Sequence, residues 1–146
     1  MDDRRRRNSP DMGTNAEGIQ LDGAGIGIAV LDSGIYKSHK AFLDGNGNVR
    51  VVAKQDFTGE GTTNDLYGHG THVAAIAAGN GRISNGAYTG IATGANIINL
   101  RVLDSHGAGR ASYVLAAVDW IMTNRAVYNI RVVNMSLGMP AMARRN

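Results

Sequence analysis

Three short segments of the 146-residue chain carry side chains that could perform acid–base or nucleophilic chemistry. The first is Asp32-Ser33-Gly34, which follows a run of apolar residues. The second is Gly68-His69-Gly70, whose glycines leave the imidazole accessible, and the third is Ser136-Leu137-Gly138. A carboxylate, an imidazole and a hydroxyl can orient a base, transfer a proton and attack a carbonyl carbon. These residue types therefore indicate proton transfer or nucleophilic catalysis.

Each of these segments also has a purely structural interpretation. Asp32 followed by Gly34 is typical of a turn, because an aspartate side chain accepts hydrogen bonds from nearby backbone amides. His69 and His72 would share one helix face and could hold a metal, but the chain has no cysteine and no obvious third ligand. We therefore expect no metal there, and a packed role for His72. The strand-edge context of Ser136 favours a backbone role over a nucleophilic one.

Apolar periodicity predicts the elements that position these segments. Short apolar runs predict strands, whereas alanine-rich or amphipathic stretches with glycine or asparagine stops predict helices. The expected strands cover 25–31, 49–53, 95–103 and 130–135, and the expected helices cover 69–78 and 111–124. This order predicts an α/β fold with a parallel β-sheet and flanking helices. Because the carboxyl ends of parallel strands share one edge, Asp32, Asp104 and Ser136 should lie together there.

Composition restricts the classes of function. Hydrophobic residues make up 43% of the chain and charged residues 18%, which is typical of a folded globular domain. The net charge of +3 comes from arginines near the two ends, so the body is nearly neutral and predicts no specific nucleic-acid partner. No apolar run is long enough for a membrane span, and none follows the first arginines as in a signal peptide. We expect residues 1–22 to be a disordered, basic lead-in and 23–146 to be the domain.

Taken together and in this order, the three segments resemble the motifs of the subtilisin-like serine proteases. The resemblance runs from about Gly25 to about Pro140. The motifs that carry it are Asp32-Ser33-Gly34, His69-Gly70-Thr71-His72-Val73-Ala74 and Val133-Asn134-Met135-Ser136-Leu137-Gly138. Two further stretches fit the family, Gly90-Ile91-Ala92 and Leu100-Arg101-Val102-Leu103. The order Asp, His, Ser is the one given for this family's catalytic triad.

The resemblance implies a role for each matching position. Asp32 would orient the imidazole and stabilise its cation, and His69 would act as the general base and then the general acid. Two backbone edges would hold a peptide or protein substrate in extended conformation, as an added strand. These substrate-binding residues are Gly107, Ala108 and Gly109 on one edge and Ser136, Leu137 and Gly138 on the other.

The chain departs from the family pattern after Gly138. The family places an oxyanion-hole asparagine and then its nucleophilic serine, in a G-T-S context, further along the chain. None of the seven serines here stands in that context; they are Ser9, Ser33, Ser38, Ser84, Ser105, Ser112 and Ser136. We therefore expect a truncated catalytic domain that is inactive by itself, with the missing C-terminal half as a candidate partner. The alternative is a non-catalytic pseudoenzyme or peptide-binding module.

Two cofactor hypotheses are also open to test in the sequence. Family members tend to have an aspartate calcium ligand in an S-H-P-D segment, whereas this chain has Ser38-His39-Lys40-Ala41. The usual calcium-ligand position near Ala41 is therefore lost. The glycines of residues 23–27 superficially suggest a dinucleotide fingerprint, but they precede a strand and no helix follows, so nucleotide binding is not expected.

Overall fold

Four strands and two α-helices organise residues 13–138, the part of the chain that this computed structural model describes. The strands are β1 (Gly27–Asp32), β2 (Val51–Asp56), β3 (Asn96–Arg101) and β4 (Ile130–Asn134), and the helices are α1 (His69–Ala78) and α2 (Ala111–Asn124). Both helices have the predicted bounds. In the described residues, no helix is long and apolar enough to cross a membrane.

All four strands differ from the prediction at one or both ends, by one to three residues. The second strand was expected over 49–53, but Val49 instead forms an antiparallel bridge with Leu43, and β2 begins only at Val51. The third strand was expected to reach Leu103 and ends at Arg101. The backbone amides beyond it, those of Val102 and Leu103, both donate to the carbonyl oxygen of Asp32.

All four strands are parallel and lie in the order β2-β3-β1-β4, which confirms the predicted fold class. Side chains alternate between the two faces of the sheet. Ile28 and Val30 of β1 belong to the core cluster that includes Ala74 of α1. Ala29 and Leu31 belong to the opposite cluster, which includes two residues of α2, Ala117 and Ile121. The helices therefore cover opposite faces, as parallel sheets require.

The carboxyl edge of the sheet concentrates polar residues, because every strand ends in one: Asp32, Asp56, Arg101 and Asn134. The side chain of Arg101 is fully buried. Its Nε donates to the carbonyl oxygen of Ser33 at 3.1 Å, and its guanidinium pairs with Asp56 at 3.4 Å and with Glu60 at 3.2 Å. The same Glu60 oxygen accepts the backbone amide of Ser105 at 2.9 Å. Arg101 thus links the segments that follow β1, β2 and β3.

A second buried arginine occupies the surroundings of Ala41, where the resemblance implied a lost calcium ligand. Arg50 donates from Nη2 to the carbonyl oxygens of Ala41 at 3.0 Å and Ala78 at 2.6 Å, and from Nη1 to that of Ala95 at 2.8 Å. Burial lowers the pKa of Arg50, with Asp44 acting in the opposite direction. Because a guanidinium occupies these carbonyls, and residues 13–138 contain no cluster of three His, Cys, Asp or Glu ligands, the position does not fit Ca²⁺.

Replacing Arg101 with Met keeps the side-chain length but removes the guanidinium, which leaves Asp56 and the Ser33 carbonyl without this donor. We expect the free energy of unfolding to fall by about 3 kcal/mol, the low end for breaking a buried charge pair. Urea denaturation measures the loss. The matched control is Arg131→Met on β4, an exposed arginine, which should change stability by less than about 0.5 kcal/mol. Equal losses in the two variants would contradict this role.

The same measurement in acid tests the charge contribution of Asp56. Burial by itself raises the pKa of Asp56, but hydrogen bonds from Thr58 and Gly61 and the charge of Arg101 outweigh burial and hold that pKa below 3.8. A carboxylate with a depressed pKa contributes its full stability above 3.8 and loses it as the pH falls through the lower folded value. The difference in the free energy of unfolding between wild type and Arg101→Met should therefore become smaller below pH 3.8.

Calcium at millimolar concentration should not stabilise the chain through the region of Ala41, because Arg50 already donates to its carbonyl oxygen. The measurement is the melting temperature with added Ca²⁺ and with a chelator. The nearby carboxylate of Asp44 is the alternative ligand that must be tested; its Oδ1 accepts the backbone amides of Asn46 and Asn48. A calcium-dependent rise in melting temperature that Asp44→Asn abolishes would show the prediction to be wrong.

Candidate functional site

A hydrogen bond joins the carboxylate of Asp32 to the imidazole of His69 at the carboxyl edge of the sheet. Asp32 Oδ1 and His69 Nδ1 are 2.8 Å apart. The Asp32 side chain is fully buried, whereas 43% of the His69 side chain is exposed. An ionised carboxylate can only accept, so Nδ1 donates the proton and Nε2 of the neutral ring keeps a lone pair for accepting another. This geometry presents an oriented, accessible base.

Local backbone packing brings the two residues together. Asp32 is the last residue of β1, and His69 is the first residue of α1. Gly70, the next helical residue, is buried directly against the turn that follows β1. A Cβ atom at Gly70 would collide with the carbonyl oxygen of Gly34 and would lie 3.2 Å from the Asp32 side chain. The glycine therefore allows α1 to start close enough for the hydrogen bond to form.

A second carboxylate, Asp65, connects the same two segments. Its Oδ1 accepts the hydroxyl of Ser33 at 2.8 Å and the amide of Gly68 at 2.7 Å, and its Oδ2 accepts the amide of Thr71 at 2.8 Å. The Ser33 hydroxyl oxygen also accepts the amide of Gly70 at 2.9 Å. Asp65 lies outside the three segments that the sequence indicates as functional. The available signal was an aspartate just ahead of a predicted helix, which is typical of a residue that caps the first turn.

The loop that carries Gly107, Ala108 and Gly109 is closed by Asp104. Asp104 Oδ1 accepts the amides of His106 at 2.8 Å and Ala108 at 3.0 Å. The bond from Ala108, followed by that from His106, holds the pKa of Asp104 below its ordinary value. The carbonyl of Ala108 is also used, since it accepts the amide of Asp104 at 2.7 Å. By contrast, the N–H and C=O of Gly109 make no hydrogen bond within residues 13–138.

The two predicted substrate-binding segments meet at one pocket of about 240 Å³. Gly107, Ala108 and Gly109 line it together with Leu137 and Gly138. The remaining wall is mostly apolar and comes from the segment just after β3 and from the N-cap and first turn of α2: Val102, Leu103, Arg110, Ala111 and Val114. Apart from Arg110, whose guanidinium lies 5.9 Å from the centre of the Tyr113 ring, the lining suits an apolar side chain.

The ring of Tyr67 packs against the loop that carries Gly107, on the side that faces the start of α1. Gly107 has a φ of +77°, which favours glycine, and a Cβ atom there would lie 2.6 Å from two ring carbons of Tyr67. Tyr67 stands two residues before His69, and 54% of it is exposed. The Gly107 loop therefore packs against the segment that leads into α1.

The remaining site predictions have mixed outcomes. Ser136 is not hydrogen-bonded to the base. Its hydroxyl oxygen accepts a hydrogen bond from Asn134 Nδ2 at 3.0 Å, whereas the His69 ring bonds only to Asp32 among the described residues. The expectation that His72 is packed is wrong, because His72 lies on the exposed face of α1. The buried face of that helix consists of smaller residues, Gly70, Ala74 and Ala78.

Sequence comparisons identify relatives of this arrangement. The model of the subtilase family matches residues 23–145. Subtilisin-like protease 3 of Pseudogymnoascus destructans is 40% identical over 119 residues, which is 80% of this chain and 26% of that protein. Subtilisin E of Bacillus subtilis is 38% identical over 119 residues, 81% of this chain and 28% of that protein. The chain thus spans little more than a quarter of the length of these relatives.

Solved structures that resemble this chain also include a protease. The CspB protease of Clostridium perfringens superimposes with a TM-score of 0.66 at 28% identity, covering 80% of this chain and 29% of that one. Sphericase superimposes with a TM-score of 0.64 at 30% identity, covering 84% and 40%. These proteins share the parallel sheet and flanking helices described above. The match over residues 23–145 shows that the chain belongs to the subtilase family of serine proteases.

Proposed function

We propose that this chain supplies the base and the peptide-binding edges of a serine-type endopeptidase. The observation that carries the proposal is the 2.8 Å hydrogen bond between buried Asp32 and accessible His69. A buried acceptor fixes the ring orientation and the proton on Nδ1, while the exposed ring can meet a reacting hydroxyl. Both residues stand at the carboxyl edge of a parallel sheet, where α/β folds place their ligands.

The proposed reaction is acyl transfer from a peptide to a serine and then to water. His69 Nε2 takes the proton from the serine hydroxyl as its oxygen attacks the peptide carbonyl carbon. The resulting imidazolium, stabilised by Asp32, gives that proton to the leaving amine when the C–N bond breaks. In the second half, His69 takes a proton from water as it attacks the acyl-enzyme, and returns it to the serine oxygen.

The substrate in this proposal is a peptide or an exposed protein segment in extended conformation. Gly109 has a backbone N–H and C=O without partners in the described residues, and Leu137 borders the same pocket from the opposite segment. An extended peptide lying between them would gain main-chain hydrogen bonds as an added strand. The pocket of about 240 Å³ would then accept one apolar substrate side chain.

The nucleophile is the part that these 146 residues do not supply in recognisable form. Ser33, the serine nearest to Asp32 in sequence, uses its hydroxyl to donate to Asp65 and to accept from Gly70. Ser136 is bonded to Asn134. This observation also favours a second candidate function, a non-catalytic module that binds peptides through the same edges. A C-terminal segment carrying the serine would be the partner that separates the two functions.

The chain by itself should give no label with a fluorophosphonate probe and no peptide hydrolysis above background. The physical reason is that none of its described serines is hydrogen-bonded to His69, the base that would activate it. Gel fluorescence and mass spectrometry of the purified chain measure the label. Stoichiometric labelling that maps to Ser136, or to any other serine of the chain, would refute this division of roles.

A chimera tests the positive half of the proposal. Residues 23–138 replace the matching region of Subtilisin E, so that the relative provides everything beyond the S-L-G segment. We expect peptidase activity, and we expect His69→Ala to lower kcat by at least ~10²-fold, the lower limit for general acid–base catalysis. His72→Ala is the matched control, because His72 lies on the same helix and is exposed. A folded chimera that binds peptide without hydrolysing it would favour the non-catalytic module.

A further inference from the structure

The carboxylate of Asp65 lies between the two segments that carry the acid–base pair. On one side it accepts the hydroxyl of Ser33, the residue directly after Asp32. On the other side it accepts the amide of Gly68, the residue directly before His69, and the amide of Thr71. These contacts satisfy both carboxylate oxygens. One side chain therefore contacts the chain next to each member of the pair.

Capping of α1 accounts for only part of this arrangement. An aspartate ahead of a helix normally accepts amides of the first turn, as Asp65 does from Gly68 and Thr71. The bond from Ser33 comes from a different element, 32 residues earlier in the chain. Ser33 is fully buried, and its hydroxyl oxygen also accepts the amide of Gly70, so Ser33 is bonded to helix α1 as well as to Asp65. The result is a closed set of bonds across the junction between β1 and α1.

The charge of Asp65 strengthens these bonds. Burial by itself raises the pKa of Asp65, but hydrogen bonds from Thr71, Ser33 and Gly68 outweigh burial and hold that pKa below its ordinary value. Asp65 is thus ionised at neutral pH, and hydrogen bonds to an ionised acceptor are roughly twice as strong as neutral ones. Its donors include the backbone amides of Gly68 and Thr71, so these two bonds act directly on the position of the backbone at the start of α1.

We propose that Asp65 is a positioning residue, which works through Ser33 and the first turn of α1 to hold the imidazole of His69 in hydrogen-bonding register with Asp32. Its importance for peptide hydrolysis rests on the function proposed above, whereas the positioning itself does not. Without Asp65, the start of α1 and the turn after β1 remain in contact through Gly70 and Gly34 but lose their shared acceptor. Small displacements there lengthen the bond between Asp32 and His69.

The tautomer of His69 reports directly whether its hydrogen bond to Asp32 is formed. Bonding to Asp32 places the proton on Nδ1, whereas a free neutral imidazole can carry it on either nitrogen. The experiment is a long-range ¹H–¹⁵N NMR spectrum of the full chain, labelled with ¹⁵N-histidine, at a pH where the rings are neutral. Asp32→Ala defines the tautomer mixture of an unanchored ring. The other three histidines, His39, His72 and His106, report whether the fold is retained.

In wild type we expect His69 to carry its proton on Nδ1, and in Asp65→Ala we expect its shifts to move toward those of Asp32→Ala. Asp65→Asn keeps the shape and should move them less. Asp44→Ala is the matched control, because Asp44 also accepts backbone amides in a turn but precedes β2 at the opposite edge of the sheet. If Asp65→Ala loses its fold, Asp65→Asn and Ser33→Ala decide by the same criterion.

Folded Asp65 variants with an unchanged His69 tautomer would overturn the proposal, as would an equal shift in Asp44→Ala. The spectra need no turnover, so an inactive chimera would count against the proposed peptidase function and leave this result interpretable. A tautomer shift confined to His69 in Asp65→Ala and Ser33→Ala would support positioning. General loosening of the structure would move all four histidines together.

Discussion

The close approach of helix α1 to the turn after β1 is the constraint on which the site depends. The hydrogen bond between Asp32 and His69 joins residues 37 positions apart, so it exists only if two distant backbone segments touch. At the contact, Gly70 leaves no room for a Cβ atom against Gly34. The small residues along the buried face of α1 extend the same close packing along the sheet. A bulkier helix start would move His69 away from its acceptor.

Electrostatics at the carboxyl edge imposes a second constraint. Asp32 and Asp56 are the last residues of their strands, and Asp65 and Asp104 lie in loops that follow strands. Arg101 lies among them with no solvent exposure, pairs with Asp56 and Glu60, and donates to the carbonyl next to Asp32. Arg101 thereby compensates the charges of Asp56 and Glu60. By contrast, Oδ2 of the buried Asp32 has no hydrogen-bond partner within residues 13–138. Because Glu60 also accepts the amide of Ser105, the same cluster fixes the loop that leads to Gly109.

The sequence predicted those features that depend on local chemistry. The helices had the correct bounds because glycine and asparagine stops and apolar periodicity are local signals, and strong strands such as β1 were found for the same reason. The start of β2 was misplaced because register is decided by the partner strand, and Val49 pairs with Leu43 instead. Asp65 was missed because its partner Ser33 lies 32 residues away, and His72 was misjudged because periodicity places it on a helix without saying which face is covered.

The contacts that prepare the base differ in origin from those that would supply the nucleophile. Asp32, His69, Ser33 and Asp65 bond to one another and to backbone amides within residues 13–138. The orientation of the imidazole therefore does not require the nucleophilic serine to be present. Preorganisation of this kind means that little reorganisation remains when charge develops on the ring. A peptide-binding module and a peptidase would share this arrangement, and the presence of a hydroxyl within reach of Nε2 is what distinguishes them.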